Sequence, residues 1–275
     1  MITHLSPTAF RLFEESPKDF YLKYILKGPK LPQTKPMAIG SAFDAYVKSY
    51  LYAGLVGQNP KYTLEALFES QVEPQNRTVA FQDGKKIFDE YARLGALANL
   101  MLELSTSVGK PLFEFEIKGL IEGPIGDVPM VGKPDVFFIN DRGARVVLDW
   151  KVNGYYSANH TSPMPGYIKI LPGGGMHKDC MPMKVNGIEI NVGSWFEDRN
   201  SDWAAQLAIY SWLLGEKIGS QNCIFAVEQI VGNPIRVASH RMRISREYQL
   251  ELIERLSKCW KTINEDFDND FLRVL

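Results

Sequence analysis

Residues 130–152 constrain the fold of this chain more than any other stretch. They contain two apolar runs, at 136–139 and 144–148, joined by residues 140–143 with the sequence Asn-Asp-Arg-Gly. Asn, Asp and Gly in a short connection between apolar runs favour a tight reversal of the chain. The stretch therefore predicts a β-hairpin.

Polar residues stand at one end of this predicted hairpin. Asp135 precedes the first apolar run, and Asp149 and Lys151 lie two residues apart at the end of the second. Side chains at positions i and i+2 share one face of a strand, so Asp149 and Lys151 are expected to point the same way and Trp150 the opposite way. The hairpin can bring Asp135 close to them, which places two carboxylates and one amine at the end of an apolar sheet.

This residue set suits the hydrolysis of a phosphodiester. Mg²⁺ binds through one or two carboxylates together with water and substrate phosphate, and it can activate a water. An ammonium group beside the ion can contact the scissile phosphate or assist the attacking water. The alternative is a surface hairpin in which Asp149 and Lys151 form only a weak ion pair.

The composition is that of an ordinary globular protein. The 275 residues are 45% hydrophobic and 23% charged, which favours one elaborated domain over 1–275. Within it we expect an insertion at about 153–200 and a C-terminal strand pair and helix at 221–275. The insertion contains Asn-Gly between two short apolar runs, a strong signal for a β-hairpin. This hairpin would cover the site, guide a strand into it or be a structural appendage.

The net charge and the cysteine content indicate how the protein could contact DNA and which compartment suits it. The net charge is −1, so any DNA contact must use a local groove of Lys and Arg. Arginines concentrated between 236 and 246 are one candidate patch, although a solvated strand edge explains them equally well. Three scattered cysteines fit a reducing cytosol, and neither a signal peptide nor an apolar run of membrane-spanning length is found. We therefore expect a cytoplasmic protein without a membrane partner, in the host cytoplasm if it is phage-encoded.

Residues 132–135, with the sequence Gly-Lys-Pro-Asp, followed by Asp-Trp-Lys at 149–151, resemble the PD-(D/E)xK nuclease signature. Further elements that resemble the RecB-type and exonuclease VIII-type branch occur in family order along residues 5–215. They are a helix start at Leu5-Ser6-Pro7, a second at Ser16-Pro17, the spacing Gly40-x-x-x-Asp44, and Gln206-x-x-x-Tyr210 on a helix predicted at 202–214. The order of these elements makes the set more specific than any one motif.

The resemblance implies a fold and a set of roles. The fold is an α/β restriction-endonuclease-like core, a central mixed β-sheet flanked by helices, here with an inserted β-hairpin. Asp135 and Asp149 would bind Mg²⁺ or Mn²⁺, and Lys151 would serve the attacking water or the phosphate. Gln206 and Tyr210 would orient the substrate strand.

Two further ligand positions follow from the resemblance. The family carries a histidine where this chain has Asp44, so Asp44 is either a metal ligand or a solvated helix residue. The family also carries a glutamate before the first Asp, for which Glu116 is the first choice and Glu114 the second, on a strand predicted from the alternation at 113–118. Ser16 replaces the cysteine ligand of the iron–sulphur branch, so we expect no iron–sulphur cluster.

The implied activity is a Mg²⁺- or Mn²⁺-dependent DNA exonuclease of the phage or bacterial recombination type. It would process double-stranded ends for recombination or repair. The resemblance also suggests a single-strand annealing protein as partner and a ring-shaped homo-oligomer. The alternatives are an endonuclease or CRISPR-adaptation-type nuclease of the same fold, and a non-catalytic DNA-binding descendant, although the latter would normally have lost Asp135, Asp149 or Lys151.

Overall fold

The computed structural model describes residues 2–153, 183–196 and 203–265. The helices within these ranges are α1 (Pro7–Glu15), α2 (Pro17–Phe20), α3 (Lys35–Leu55), α4 (Leu64–Gln71), α5 (Arg77–Arg93), α6 (Ala96–Ser105), α7 (Trp203–Leu213) and α8 (Arg246–Glu265). The strands are β1 (Leu112–Phe113), β2 (Ile117–Ile121), β3 (Val128–Gly132), β4 (Val136–Ile139), β5 (Arg145–Asn153), β6 (Met183–Val185), β7 (Ile188–Phe196), β8 (Cys223–Val231) and β9 (Arg236–Ile244). None of the described helices is long and apolar enough to cross a membrane.

The main sheet has seven described strands in the order β1-β4-β5-β8-β9-β7-β6. β5 with β8 and β7 with β9 are parallel, and the remaining neighbours are antiparallel. β2 and β3 form a separate antiparallel pair. The prediction of a mixed sheet flanked by helices, consistent with a restriction-endonuclease-like fold, is confirmed.

The central hairpin forms as predicted, from β4 and β5. Asn140 closes its turn, because the side-chain Oδ1 accepts hydrogen bonds from the backbone N–H of Arg142 (3.1 Å) and of Ala144 (2.8 Å). Gly143 has a φ of 79°, a backbone conformation that L side chains rarely adopt. The sequence of the turn thus sets the register that brings Asp135 and Asp149 to the same end of the hairpin.

Two apolar layers cover the two faces of the sheet. Side chains alternate along β5, so Val147 packs with Leu207 of α7 on one face, whereas Val146 and Leu148 pack with Phe43 of α3 on the other. Helices α1, α7 and α8 contribute to the first layer, and α3, α5 and α6 contribute to the second. The end of β5 is therefore reached by α7 from one side and by α3 from the other.

The helix starts predicted at the N-terminus are also present. The Ser6 hydroxyl accepts a hydrogen bond from the Ala9 N–H (3.1 Å), and the Ser16 hydroxyl accepts one from the Asp19 N–H (3.3 Å). Each serine is followed by a proline, whose missing N–H costs nothing at the first helical position. The two capped helices contribute to the same apolar layer as α7 and α8.

The structure corrects the single strand predicted at 113–118. β1 ends at Phe113 in the main sheet, and β2 begins at Ile117 in the separate pair. Glu114, between them, has a φ of 50°, which breaks the alternation of an extended strand. Alternating polarity predicted the two extended ends but not the left-handed residue between them.

The inserted β-hairpin predicted at Asn-Gly is present as β6 and β7. Its turn residues have positive φ, 50° at Asn186 and 84° at Gly187. β7 pairs in parallel with β9, so this hairpin extends the main sheet. Residues 154–182 and 197–200, which make up most of the predicted insertion, lie outside the described residues.

Candidate active site

Helix α3 positions two charged side chains one turn apart at the centre of the site. The Lys48 side chain is 1% exposed, and its Nζ lies 2.7 Å from Asp44 Oδ1. The same ammonium is 2.8 Å from Asp135 Oδ1, at the start of β4, and it contacts Glu114 Oε1. Lys48 therefore lies among three carboxylates that come from separate parts of the chain.

The second oxygen of each of these carboxylates also contacts a donor. Asp44 Oδ2 accepts a hydrogen bond from Gln71 Nε2 (3.0 Å), Asp135 Oδ2 accepts one from the Trp150 N–H (3.0 Å), and Glu114 Oε2 contacts Lys133 Nζ. The Trp150 ring also lies near the Lys48 ammonium, 5.7 Å from ring centroid to Nζ. We call Lys48 with Asp44, Glu114 and Asp135 the Lys48 cluster.

Glu114 reaches this cluster because of its backbone conformation. Its φ of 50° turns the side chain away from the path of a regular strand, and its N–H donates to the Asp135 carbonyl (3.1 Å). A non-glycine residue with positive φ is often found where function requires it. Glu116, the first choice from sequence, is exposed and pairs with Lys118 at 2.9 Å, outside the cluster. The structure thus brings Glu114 to the site and leaves Glu116 at the surface.

The other half of the site lies on the α7 side of β5. Lys151 Nζ is 2.6 Å from Asp149 Oδ2 and donates to Gln206 Oε1 at 2.7 Å. Gln206 Nε2 in turn donates to Asp149 Oδ1 (3.2 Å) and to the Tyr210 hydroxyl (2.9 Å). One glutamine amide therefore links Asp149, Lys151 and Tyr210 in a single hydrogen-bonded group.

A glycine allows α7 to come this close to the sheet. A Cβ atom added to Gly132 would lie 2.7 Å from the Tyr210 ring, nearer than real Cβ contacts permit. The ring is rigid, so any larger residue would displace the helix or the strand. This close approach explains why a glycine stands three residues before Asp135.

Burial shifts the acid–base properties of both halves. Burial raises the pKa of Asp44 to about 7, although the nearby Lys48 opposes the shift. Burial likewise raises the pKa of Asp149 to about 6, against the effect of Lys151. For Lys48, burial alone lowers the pKa, but Asp135, Asp44 and Glu114 together raise it well above its ordinary value. The ammonium therefore remains charged.

The donor chemistry of the site fits a hard divalent cation. Carboxylate oxygens of Asp44, Glu114 and Asp135 lie within 4.8 Å of one another. Carboxylates without histidine or thiolate partners are the ligands of Mg²⁺ and Mn²⁺ rather than of structural zinc. A divalent ion can therefore be held here, in competition with the Lys48 ammonium.

Two cavities open beside Lys151. One, of about 220 Å³, extends between α1 and α7, and the other, of about 380 Å³, extends toward Asp44 on α3. Arg11 of α1, Lys151 and Trp203 line both. Among the described residues, the charged end of the hairpin is thus flanked by a cavity on each side.

Comparison with known proteins now adds to this geometry. The sequence model of the PD-(D/E)XK nuclease superfamily matches residues 4–163. This chain belongs to that superfamily. The matched region includes Asp44, Glu114, Asp135, Asp149 and Lys151, so the membership and the geometry concern the same part of the chain. The superfamily makes this a metal-dependent nuclease, a hydrolytic enzyme with DNA as substrate.

The other comparisons with known proteins add little to this family match. A search of curated proteins finds no match. Among solved structures, "Crystal structure of SSO0001" is 12% identical over 89% of this chain and 85% of that chain, with a TM-score of 0.30. The nuclease assignment therefore rests on the family match and on the assembled side chains.

Two residues of this nuclease site escaped the sequence patterns. Lys48 lies on the buried face of α3, and a lysine between apolar residues, four positions after Asp44, is a signal that sequence reading can use. Arg11 lies on α1, for which the sequence patterns predicted only the helix start at Leu5-Ser6-Pro7. Its place beside Lys151 depends on how α1 packs against α7, which no local pattern encodes.

Proposed function

We propose that this chain is a Mg²⁺- or Mn²⁺-dependent DNA exonuclease that processes double-stranded ends. The observation that carries the proposal is the single hydrogen-bonded group of Asp149, Lys151, Gln206 and Tyr210 next to Asp135, open to two cavities. This arrangement places carboxylates, an ammonium and a hydroxyl beside cavities that a phosphodiester could enter.

The family resemblance implies that Asp135 and Asp149 would hold the divalent ion. Glu114 and Asp44, whose carboxylate oxygens lie within 4.8 Å of that of Asp135, are proposed as further ligands. The surface position of Glu116 disfavours it as the alternative. When bound, such an ion neutralises charge on the phosphate and makes a bound water more acidic. The protein's own residues supply the rest of the chemistry.

Lys151 is the proposed catalytic residue. Asp149 and Gln206 fix its ammonium at 2.6 and 2.7 Å, so little rotational freedom remains to be lost when substrate binds. From this position the ammonium would donate to a non-bridging phosphate oxygen or to the attacking water. The oxygen of that water forms the new bond to phosphorus as the water gives up a proton to solvent, and the bond from phosphorus to the leaving sugar oxygen breaks as that oxygen takes up a proton.

Gln206 and Tyr210 are proposed to orient the substrate strand. The Gln206 amide has both its oxygen and its nitrogen engaged, and the buried Tyr210 hydroxyl has its pKa raised by burial, so it stays a neutral donor. Arg11, which lines both cavities, would contact the DNA backbone on the α1 side. A positive side chain there supplies the local attraction that a net charge of −1 does not.

The finer classification is also proposed. The order of motifs supports the RecB-type or exonuclease VIII-type branch, one nuclease domain over the chain, and a role in phage or bacterial recombination. A single-strand annealing protein as partner, a homo-oligomer and a cytoplasmic location follow from the same resemblance.

The test is cleavage of end-labelled linear duplex and of covalently closed circular DNA, with Mg²⁺ or Mn²⁺ and with excess chelator. We expect metal-dependent loss of linear DNA from its ends and intact circles. Nicked or linearised circles would replace the exonuclease by an endonuclease. Undiminished cleavage in chelator, or none with either metal, would contradict a metal-dependent nuclease.

A further inference from the structure

The Lys48 cluster contains a cation that the expected nuclease residues do not explain. Three carboxylates without a counter-charge would repel one another, and if they were the only charged groups here, a bound metal would be needed to relieve this repulsion. Lys48 changes that expectation, because its single ammonium lies within ion-pair distance of Asp44, Glu114 and Asp135.

We propose that Lys48 is an internal cation that holds these three carboxylates together without a divalent ion and lowers their affinity for one. The inference concerns the metal site of the proposed function and rests on it. Lys48 is a positioning residue here, because it acts on the carboxylates and not on the DNA.

The contacts support a permanent role for this ammonium. Lys48 is almost fully buried, and a buried lysine is retained in charged form only where partners compensate the lost hydration. The second oxygens of the carboxylates are already engaged by Gln71, Lys133 and the Trp150 backbone. The cluster is therefore complete in hydrogen-bonding terms before any divalent ion arrives.

The consequence for metal binding is electrostatic. A divalent ion that enters the cluster must either displace the ammonium or lie near a like charge in a poorly hydrated region, where Coulomb interactions are several times stronger than in water. The carboxylates are thus held in place without metal, but they bind metal more weakly than they would without Lys48.

The test compares Lys48→Met with wild type, using Ca²⁺ and Mn²⁺ as probes in isothermal titration and in thermal melting. In chelator, Lys48→Met should melt at a lower temperature than wild type. With the cation removed, Ca²⁺ affinity should rise at least about tenfold and the melting shift produced by metal should grow. Unchanged or weaker metal binding by folded Lys48→Met would overturn the proposal.

Lys133→Met is the matched control. Lys133 contacts the outer oxygen of Glu114, but its side chain is 58% exposed, so water screens its charge. Its removal should change Ca²⁺ affinity by less than about twofold. If Lys133→Met changed the Ca²⁺ affinity as much as Lys48→Met, the effect would come from nearby positive charge in general. That result would overturn the specific role of Lys48.

A charge-balanced double variant covers the case in which Lys48→Met does not fold. Lys48→Met with Asp44→Asn removes one positive and one negative charge from the same helix turn. In chelator it should therefore fold where Lys48→Met does not, or recover at least half of the melting loss where Lys48→Met does fold. Failure to recover would overturn the proposal. This melting measurement needs neither metal nor DNA, so it tests the stabilising role of Lys48 even if wild type binds no divalent ion. Absence of divalent-ion binding by wild type would contradict the proposed function instead.

Discussion

The protein contains two clusters in which several carboxylates contact one largely buried cation, and the two clusters differ in geometry. In the Lys48 cluster, Asp44, Glu114 and Asp135 contact the Lys48 ammonium. In the other, Glu228 of β8 and Glu103 of α6 share Arg241 of β9, at 2.8 and 2.7 Å. The acids outnumber the shared base in both clusters, so an excess of acids does not distinguish a reactive site from a structural one.

The difference lies in how the acids meet the base. The planar guanidinium of Arg241 offers separate N–H groups to each glutamate, and Ser239 donates to the second oxygen of Glu228 at 2.6 Å. In the Lys48 cluster, three carboxylates converge on one compact ammonium and lie within 4.8 Å of one another. An arginine fork keeps acids apart, whereas a lysine lets them converge as metal ligands do.

The largest effect expected is on catalysis, from Lys151→Met. Loss of the ammonium beside Asp149 should lower the rate of DNA cleavage at least about 10²- to 10³-fold. DNA binding, measured by anisotropy in Ca²⁺, should stay nearly unchanged because one phosphate contact is a small part of the attraction. Lys118→Met removes an exposed lysine and serves as control. Cleavage by Lys151→Met at the wild-type rate would remove Lys151 from the mechanism.

The largest stability effect should come from the other cluster. Arg241→Met leaves the nearly fully buried Glu228 without its partner, which should cost about 3–5 kcal/mol of unfolding free energy. Melting would fall by roughly 6–20 °C in a domain of this size. Arg243→Met, on the same strand but exposed, should change melting little. A mild loss for Arg241→Met with reduced DNA binding would instead support the phosphate-contacting patch considered from sequence.

The dependence of the unfolding free energy on pH tests the buried acids of the candidate site. The pKa of Asp149 is raised by burial to about 6, from the ordinary 3.8, so between these values the folded protein holds a proton that the unfolded chain releases. Unfolding then releases protons, and the metal-free protein should lose up to about 3 kcal/mol as pH rises from about 4 to above 6. Melting in chelator across this range should show the fall.

Asp149→Asn removes the titrating group and should flatten part of that fall. Asp44, whose pKa burial raises to about 7, should account for a further part that extends to higher pH. A metal-free stability that rises with pH over this interval, or an Asp149→Asn profile identical to wild type, would contradict the assignment.

A smaller effect is expected from Asp44, the position at which the family carries a histidine. Asp44→Asn should weaken metal binding about tenfold, the scale of lost ligand support, and raise the metal concentration needed for cleavage. Asp44→His should recover function with a greater preference for Mn²⁺, since imidazole favours softer ions than a carboxylate does. Unchanged metal titrations for Asp44→Asn would make Asp44 a helix residue without a ligand role.

The smallest effect separates two neighbouring glutamates. Glu116→Gln should leave cleavage unchanged and stability within about 0.5 kcal/mol, because its side chain is exposed and pairs only with Lys118 among the described contacts. Glu114→Gln should lower cleavage and metal affinity. The reverse pattern would restore the first choice made from sequence.

Much of the fold and part of the site could be predicted from sequence, because they depend on local patterns. The turn at Asn140, the proline-capped helices and the Gln206 to Tyr210 spacing are set by residues within a few positions of one another. The hairpin and the order of the predicted elements along the chain were then enough to predict that Asp135, Asp149 and Gln206 lie in one site.

What sequence did not predict depends on packing between distant elements. Glu114 differs from Glu116 only through a backbone φ that alternation cannot indicate. The partners that complete the environments of Lys48 and Arg241 lie far away in the chain: Glu114 is 66 positions from Lys48, and Glu103 is 138 positions from Arg241. Charged residues in apolar patterns are therefore the places to look for structure-dependent function.

The measurement that tests the central claim most directly is anomalous diffraction from crystals soaked in Mn²⁺. We predict a peak in contact with Asp135 and at least one more of the carboxylates Asp44, Glu114 and Asp149, at oxygen distances of about 2.0–2.2 Å. The Glu228 and Arg241 cluster should show none. A protein that cleaves DNA with Mn²⁺ but shows no peak among these carboxylates would contradict the claim that they form the metal site.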